Sequence, residues 1–238
     1  MSMGPHIVSA FDSDLQDIFA RVCAFGELTR QSLDKSLSAV ASGDVVLADE
    51  IVRNDQELDR IEAEIEQIIV RTIALRQPMA QDLRELIASI KLCSVFERIG
   101  DHTKSIAKRV LLFSKNDTEH LISEVCEMGT IVSQQLAEGL QAYKERDKCR
   151  ALPVWKNDID IDEKYNDLLR LLMVLMAGNP SFVETATHII FVVKNLERIG
   201  DHATFLAEMV YYVVEGDVIG DQRPKGTVFD ASSCRNGD

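Results

Sequence analysis

The sequence has 238 residues, of which 46% are hydrophobic and 27% charged, and its formal net charge at pH 7 is -13. This length and composition predict a globular protein with a sizeable core, since 12 glycines and 5 prolines are too few for a largely disordered chain. So acidic a surface repels the phosphates of nucleic acids and anionic lipids, and because the sequence has no local basic patch, we exclude direct binding to either.

Hydrophobic residues recur at spacings of three and four along nearly the whole chain, as they do on amphipathic helices. One such stripe begins Leu92, Phe96, Ile99. No segment sustains the alternation of a strand, so the pattern predicts an all-α protein. Six long helices are expected, at 7–41, 44–75, 79–114, 118–147, 153–177 and 181–215.

The breaks between these helices have recognisable residues. Ser42-Gly43-Asp44 predicts a turn, and Pro78 and Pro180 each stand where a new helix would begin. Polar joints are expected at 115–117 and at 147–153.

Two motifs occur twice. ERIGDH spans 97–102 and again 197–202, and NDQELD at 54–59 matches NDIDID at 157–162. We therefore infer a duplicated unit and expect two tandem three-helix bundles, because three amphipathic helices can bury a common core. The predicted domains are 1–115 and 116–215, followed by a flexible C-terminal tail at 216–238, which is polar and rich in Gly, Pro and Ser.

Each predicted bundle carries two pairs of carboxylates spaced four residues apart, which places both members of a pair on one face of a helix. The pairs are Asp55 and Asp59, Glu97 and Asp101, Asp158 and Asp162, and Glu197 and Asp201. Glu62 and Glu66 continue the acidic face of Asp55 and Asp59 along the same predicted helix. The pairs lie beside the apolar stripes, so those of neighbouring helices could face each other. Such a set would suit Mg, Ca, Mn or Fe better than Zn, which prefers His and Cys ligands.

Other interpretations of these residues stay open. Acid pairs on helices are commonly solvated faces balanced by nearby cations, for which the candidates here are Arg98, Arg198, Lys91 and Lys194. His102 and His202 point away from the pairs and could be structural residues or outer ligands. Gly100 and Gly200, in the middle of helices, predict the close approach of another backbone or a bulky ligand.

The compartment is expected to be the cytoplasm. Five scattered cysteines without a CxxC motif indicate a reducing environment, and the N-terminus lacks the pattern of a signal peptide. The longest apolar stretch, 168–177, is too short to span a bilayer.

The sequence resembles the PhoU family of phosphate-transport regulators over 6–215. The resemblance rests on the four motifs with two acids separated by three residues and on the segment QPMAQDLRELIASIKLCSVFERIGDH, which begins at Gln77. It implies the fold of two tandem three-helix bundles. The sequence departs from a simple duplication after the prolines: Asp82-Leu83-Arg84 of the first half has no counterpart beside Phe182.

The resemblance also implies a role and partners. PhoU-like proteins are cytoplasmic, are often homodimers, and act with the ATPase of the phosphate ABC transporter and with a sensor histidine kinase. They restrain phosphate uptake and hold the phosphate-starvation response off. Some bind multinuclear metal clusters through the acidic motifs. The resemblance thus implies a non-enzymatic regulator that reaches the membrane only through partners.

Two other classes of protein remain as alternatives. One is a metal-dependent helical-bundle enzyme acting on a phosphorylated substrate, although no P-loop, GxSxG or HExxH motif occurs. The other is a helical scaffold that binds no metal.

Overall fold

The computed structural model describes residues 5–110, 112 and 119–219, with side chains described from residue 11 onward. Within these ranges the chain is almost entirely helical and contains no strand. The elements are α1 (Pro5–Ser42), α2 (Val45–Arg76), α3 (Ala80–Val110), α4 (Glu119–Glu145), α5 (Lys148–Lys156), α6 (Asp158–Gly178), a 3₁₀ turn (Pro180–Phe182) and α7 (Val183–Glu215). The predicted all-α class with six long helices is confirmed.

The short helix α5 was not predicted. Residues 147–153 were expected to form a polar joint with a helix beginning at Pro153, but Asp147 caps α5 by accepting hydrogen bonds from the backbone N–H groups of Cys149 and Arg150. Pro153 lies inside α5, where it removes one backbone hydrogen bond, and the helix ends one turn later.

Helices α5 and α6 together are the counterpart of α2. Asp44 caps α2 through the N–H groups of Val46 and Leu47, and Asp147 occupies the same position 103 residues later. The single helix of the first repeat is therefore divided in the second repeat, with the division at Asn157.

Each repeat packs as a set of helices, and the two repeats also pack on each other. In the first repeat α2 contacts α1 and α3, and in the second repeat α6 contacts α7 and α4. Helix α1 packs against α4, and α3 against α7. The inner faces of all these helices belong to one continuous hydrophobic core. The domain boundaries at 115 and 215 stay predictions.

The two repeats are related by an approximate two-fold axis. A Cβ atom at Gly26 of α1 would lie 2.4 Å from Leu140 of α4, and one at Gly129 of α4 would lie 2.3 Å from Leu37 of α1. The glycines are 103 residues apart, and so are the leucines. Each repeat thus inserts the same leucine into a glycine gap of the other, as an antiparallel pair of equivalent helices requires.

The contacts between α3 and α7 follow the same symmetry. His102 lies beside its own counterpart His202, with ring centroids 5.5 Å apart and ring planes tilted by 31°, and is therefore close to the axis. Arg109, near the end of α3, contacts His188 near the start of α7, so these helices are also antiparallel.

No helix in the described part of the chain is long and apolar enough to cross a membrane. The predicted joint at 115–117 lies outside the described residues, as does the predicted tail from residue 220 onward.

Candidate metal-binding helix faces

The first predicted set contains one buried acid, and a lysine side chain of the protein is its ion-pair partner. Asp55 on α2 is 6% exposed, and the Lys104 ammonium on α3 donates a hydrogen bond to its carboxylate. The same ammonium lies 3.4 Å from Asp101. Lys104 thus bridges the acidic motif of α2 and that of α3.

The remaining acids of the first set form a region of concentrated negative charge. Burial raises the pKa of Glu97 to about 7, helped by the nearby charges of Asp101, Glu62 and Asp59 and by a hydrogen bond to Asp101. Burial also raises the pKa of Glu62. The acids of α2 therefore face those of α3, as predicted from their positions beside the apolar stripes.

The second predicted set differs in its partners. Asp158, which is 3% exposed at the start of α6, accepts a hydrogen bond of 3.0 Å from the Thr204 hydroxyl of α7. Lys194 lies 2.7 Å from Glu197. Arg198 lies 3.4 Å from Asp201, so this arginine balances charge as expected. Asp162, the fourth member, is exposed.

The duplicated positions show how the two sets have diverged. Lys104, which pairs with the buried Asp55, is replaced in the second repeat by Thr204. Conversely, Ser94, beside Glu62, is replaced by Lys194, whose ammonium stands 5.1 Å from the centre of the Tyr165 ring. The lysine therefore follows the acid pair on α3, as Lys104, but precedes the acid pair on α7, as Lys194.

The structure does not gather either set into a closed coordination shell. Within residues 5–110, 112 and 119–219, no three His, Cys, Asp or Glu side chains are arranged to hold a metal ion. Two observations nevertheless fit a cation. Burial, followed by the neighbouring acids, raises the pKa of Glu97, and Glu197 has a buried Oε2 atom without a hydrogen-bond donor in the described part of the chain. All-carboxylate donors suit a hard cation.

The repeated glycines have a simpler role than a ligand contact. A Cβ atom at Gly100 would lie 2.7 Å from the Leu58 side chain of α2, and one at Gly200 would lie 2.9 Å from Ile161 of α6. In the described part of the chain each glycine accommodates an apolar side chain of the neighbouring helix, and not the expected backbone. The expectation of a bulky ligand stays a prediction.

The two histidines lie at the seam between α3 and α7. His102 Nδ1 is 2.8 Å from Oδ1 of Asn195, and the His102 and His202 rings are in contact at a tilted angle. Burial lowers the pKa of His202 to about 4, helped by the nearby His102, Arg98 and Arg198. These rings join the two repeats.

Sequence reasoning named Lys194 among the balancing cations but missed Lys104. Lys104 follows Asp101 by three residues, so the helical spacing could have identified it as well. Thr204 could not have been assigned in this way, because its partner Asp158 is on another helix.

The raised pKa of Glu97 predicts a pH-dependent stability. In the unfolded chain this carboxyl group ionises near its ordinary value of 4.5, whereas in the folded protein it does so at about 7. Folding is therefore favoured at low pH, and this contribution is lost between these two values. Without cations, Glu97→Gln should raise the free energy of unfolding at pH 8 by about 1–2 kcal/mol after allowance for solvent screening.

The measurement is urea unfolding of both proteins in chelator at pH 5 and pH 8. Glu163→Gln is the matched control, because Glu163 is exposed on α6. We expect that control to shift stability little at either pH. A Glu97→Gln effect of equal size at both pH values would contradict the prediction.

The fold and these helix faces define a class: an all-helical, internally duplicated protein with paired acids on equivalent faces of both repeats. Comparison with known proteins identifies the family. The PhoU domain profile matches residues 22–110 and 125–210. The chain belongs to the PhoU family.

Two curated relatives are similar over nearly the whole chain. The phosphate-specific transport system accessory protein PhoU homolog of Zymomonas mobilis is 41% identical over 211 residues, which covers 89% of each chain. The protein of the same name from Caulobacter vibrioides is 39% identical over 224 residues, covering 94% of this chain and 97% of that protein.

Two crystal structures have similar folds. PhoU from Pseudomonas aeruginosa matches with a TM-score of 0.81 at 30% identity, covering 87% of this chain and 100% of that one. The phosphate transport system regulatory protein PhoU from Streptococcus pneumoniae matches with a TM-score of 0.83 at 28% identity, covering 88% and 99%.

Proposed function

We propose that this chain is a cytoplasmic, non-enzymatic regulator of phosphate transport. It restrains uptake by docking on the ATPase subunit of a phosphate ABC transporter, and it links that transporter to the sensor histidine kinase of the phosphate-starvation response. The observation that carries the proposal is the similarity, over about nine-tenths of the chain, to proteins named as accessory to phosphate-specific transport.

The test is a strain without this chain, grown in ample phosphate. We expect higher phosphate uptake and expression of a starvation-responsive reporter, both reversed by the parent gene. Purified chain should also bind the purified ATPase subunit. Unchanged uptake and reporter expression in the deletion strain would overturn the regulatory role, whatever the chain binds.

We further propose that the acidic helix faces hold cations such as Mg, Mn, Fe or Ca. In the first repeat the ligands would be Asp59, Glu97 and Asp101, with Asp55 where Lys104 gives way. In the second they would be Asp158, Asp162, Glu197 and Asp201. A bound cation would neutralise carboxylates that otherwise repel one another.

The two sets should differ in affinity. The first combines Glu97 with Asp59, Glu62 and Asp101, and their mutual repulsion supports cation binding there. In the second set Lys194 and Arg198 already approach Glu197. We therefore expect the first set to bind more tightly.

Elemental analysis of protein purified without chelator tests these sites. The first-set variant is Glu97→Gln with Asp101→Asn, the second-set variant is Glu197→Gln with Asp201→Asn, and Glu163→Gln is the control. We expect the first variant to lose more metal than the second, and the control to lose none. A metal-free parent that also fails to bind added cations would exclude the sites and leave the regulatory role untouched.

A further inference from the structure

Four cations of α3 lie in a row along the boundary of this helix with α7. They are Arg84, Lys91, Arg98 and Arg109. Successive members are seven, seven and eleven residues apart, which is close to two, two and three whole helical turns, so one face of α3 carries all four. No local run of basic residues marks this row in the sequence, because only the helical period brings its members together.

Contacts across the boundary show where the row lies. The Lys91 ammonium is 5.9 Å from the centre of the Tyr212 ring of α7. The guanidinium carbon of Arg109 is 4.3 Å from the centre of the Phe191 ring, also of α7. The row therefore follows the line along which α3 and α7 pack, and aromatic rings of α7 lie beside it.

The other two cations of the row also reach α7. A Cβ atom at Gly216 would lie 2.3 Å from Nη1 of Arg84. The buried Nε atom of Arg84 has no hydrogen-bond acceptor in the described part of the chain. Burial is the main cause of the lowered pKa of His202, and the positive charge of Arg98 adds to it, so Arg98 lies near that ring of α7.

The charges of the row are not neutralised within the protein. None of its four members forms an ion pair with a described residue, whereas Lys104, on another face of the same helix, is paired with Asp55. Lys91 and Arg98 are exposed to solvent. On a chain whose formal net charge is -13, such cations are available to carboxylates of another molecule.

Helix α7 adds a mainly aromatic and polar face to the same boundary. Spacings of four and three align its partly or fully exposed members, which are Phe191, Asn195, Arg198, His202 and Phe205. Glu184 continues this line towards the start of α7, and Arg198 is already paired with Asp201. The unpaired positive charge is therefore that of α3. We call the row and this face of α7 together the α3/α7 surface.

Carboxylates border the α3/α7 surface on both sides and limit its width. Glu97 lies on the flank of α3 that faces the acids of α2. Glu197 lies beside Lys194, whose ammonium reaches the Tyr165 ring of α6, and so marks the flank of α7 that faces α6. The axes of packed helices are about 8–10 Å apart, so the basic strip is about one helix wide. A nucleic-acid duplex or an anionic bilayer is wider and would also meet the carboxylates, whereas a single helix fits between them.

The spacing along the surface also suits a helix. From Arg84 to Arg109 the row is roughly 37 Å long, and cations seven residues apart recur about every 10.5 Å. A second helix lying along the row presents every seventh residue at the same interval. Asp or Glu at that interval can therefore pair with Lys91 and Arg98 in turn, and apolar residues beside them can contact Phe191.

We propose that the α3/α7 surface docks an acidic amphipathic helix of a partner protein, in which carboxylates recur at every seventh residue. The cations of α3 pair with these carboxylates, and the rings of α7 contact the apolar residues of the docked helix. The proposal does not specify which protein carries the helix, so its failure would leave the regulatory role untouched.

Photo-crosslinking in the host cell tests the occupant. p-Benzoylphenylalanine replaces Phe191 of the full chain, because this position is 46% exposed and already holds an aromatic ring. Peptide mapping should find a crosslinked protein segment with an acid at every seventh residue. Crosslinks to nucleic acid, to lipid, to a second copy of this chain or to a segment without such acids would overturn the proposal, and so would the absence of any crosslink.

Charge reversal then tests the row itself. Lys91→Glu with Arg98→Glu is the test variant. Arg71→Glu with Lys108→Glu changes the net charge equally and is the matched control, because both side chains are exposed, lie outside the row and form no ion pair with a described residue. The test variant should bind the mapped segment, as a synthetic peptide, at least about tenfold more weakly than the parent, and the control should change affinity by less than about twofold. Equal losses in the two variants would contradict the proposal.

A charge-swapped peptide separates a lost contact from a lost fold. In this peptide lysines replace the acids that recur at every seventh residue. It should bind Lys91→Glu with Arg98→Glu more tightly than it binds the parent, which an unfolded variant could not do. Tighter binding to the parent would show that these acids do not face the row.

Discussion

Replacing Lys104 with methionine is expected to lower the free energy of unfolding by about 2–4 kcal/mol, because Asp55 would keep a buried carboxylate without its cation. Methionine retains much of the apolar stem of lysine, so the loss reports mainly the missing charge. The ammonium is only partly exposed, so water cannot fully replace it. Urea unfolding at pH 7 in chelator measures the effect.

Lys108→Met on the same helix is the control. Lys108 is exposed on α3, so its removal should change stability by no more than about 0.5 kcal/mol. Adding Asp55→Asn to Lys104→Met should recover part of the loss, because the unpaired charge is gone. Equal, small losses from the two lysine variants would show that Asp55 does not depend on Lys104.

The same variant connects stability with cation binding. Lys104 occupies the space between Asp55 and Asp101 where a cation could otherwise lie. A divalent cation that binds only the folded protein stabilises it, and the stabilisation at a given cation concentration is larger when the cation binds more tightly. If the proposed site is correct, Mn²⁺ should stabilise Lys104→Met more than it stabilises the parent.

The long helices could be predicted because their evidence is local. The stripe through Leu92, Phe96 and Ile99 is buried as expected, and the matching stripe of α7 is buried in the same way. Such periodicity needs only the residues of one helix. The division of the second repeat's counterpart of α2 was not predicted: residues 147–153 indicate a polar joint before a helix that begins at residue 153, whereas the Asp147 cap already begins α5.

The candidate site was only partly predictable, for a related reason. Spacing places Glu97 beside Asp101 on one helix, but it does not show which side chain of a neighbouring helix pairs with an acid. The pairing of Asp55 with Lys104, and of Asp158 with Thr204, depends on the register between helices. Gly26 and Gly129 likewise carry no local sign that each receives a leucine of the other repeat.

Replacing Phe96 with alanine should cost about 3–5 kcal/mol, because it leaves a large cavity in the core. The ring is fully buried and makes an edge contact with Phe25, with centroids 5.8 Å apart. Phe96→Leu should cost much less, since the equivalent position of the second repeat is Leu196, which is also fully buried. Urea unfolding of the two variants against the parent measures both losses. Similar losses would mean that the site collapses freely around either side chain.

The Phe96 ring also fills part of the space beside Gly26, where α1 packs against α4. A Cβ atom at Gly26 would lie 2.8 Å from the tip of the Phe96 ring and 2.4 Å from Leu140. Gly26→Ala should therefore cost about 1–3 kcal/mol in spite of alanine's better helix propensity. Phe96→Leu should reduce that cost by about 1 kcal/mol, because the leucine vacates part of the space. Gly178→Ala is the control, since a Cβ atom there meets nothing within 4 Å. If the losses from Gly26→Ala and Phe96→Leu are additive, the added methyl group clashes with Leu140 alone, and the Phe96 ring does not contribute to the clash.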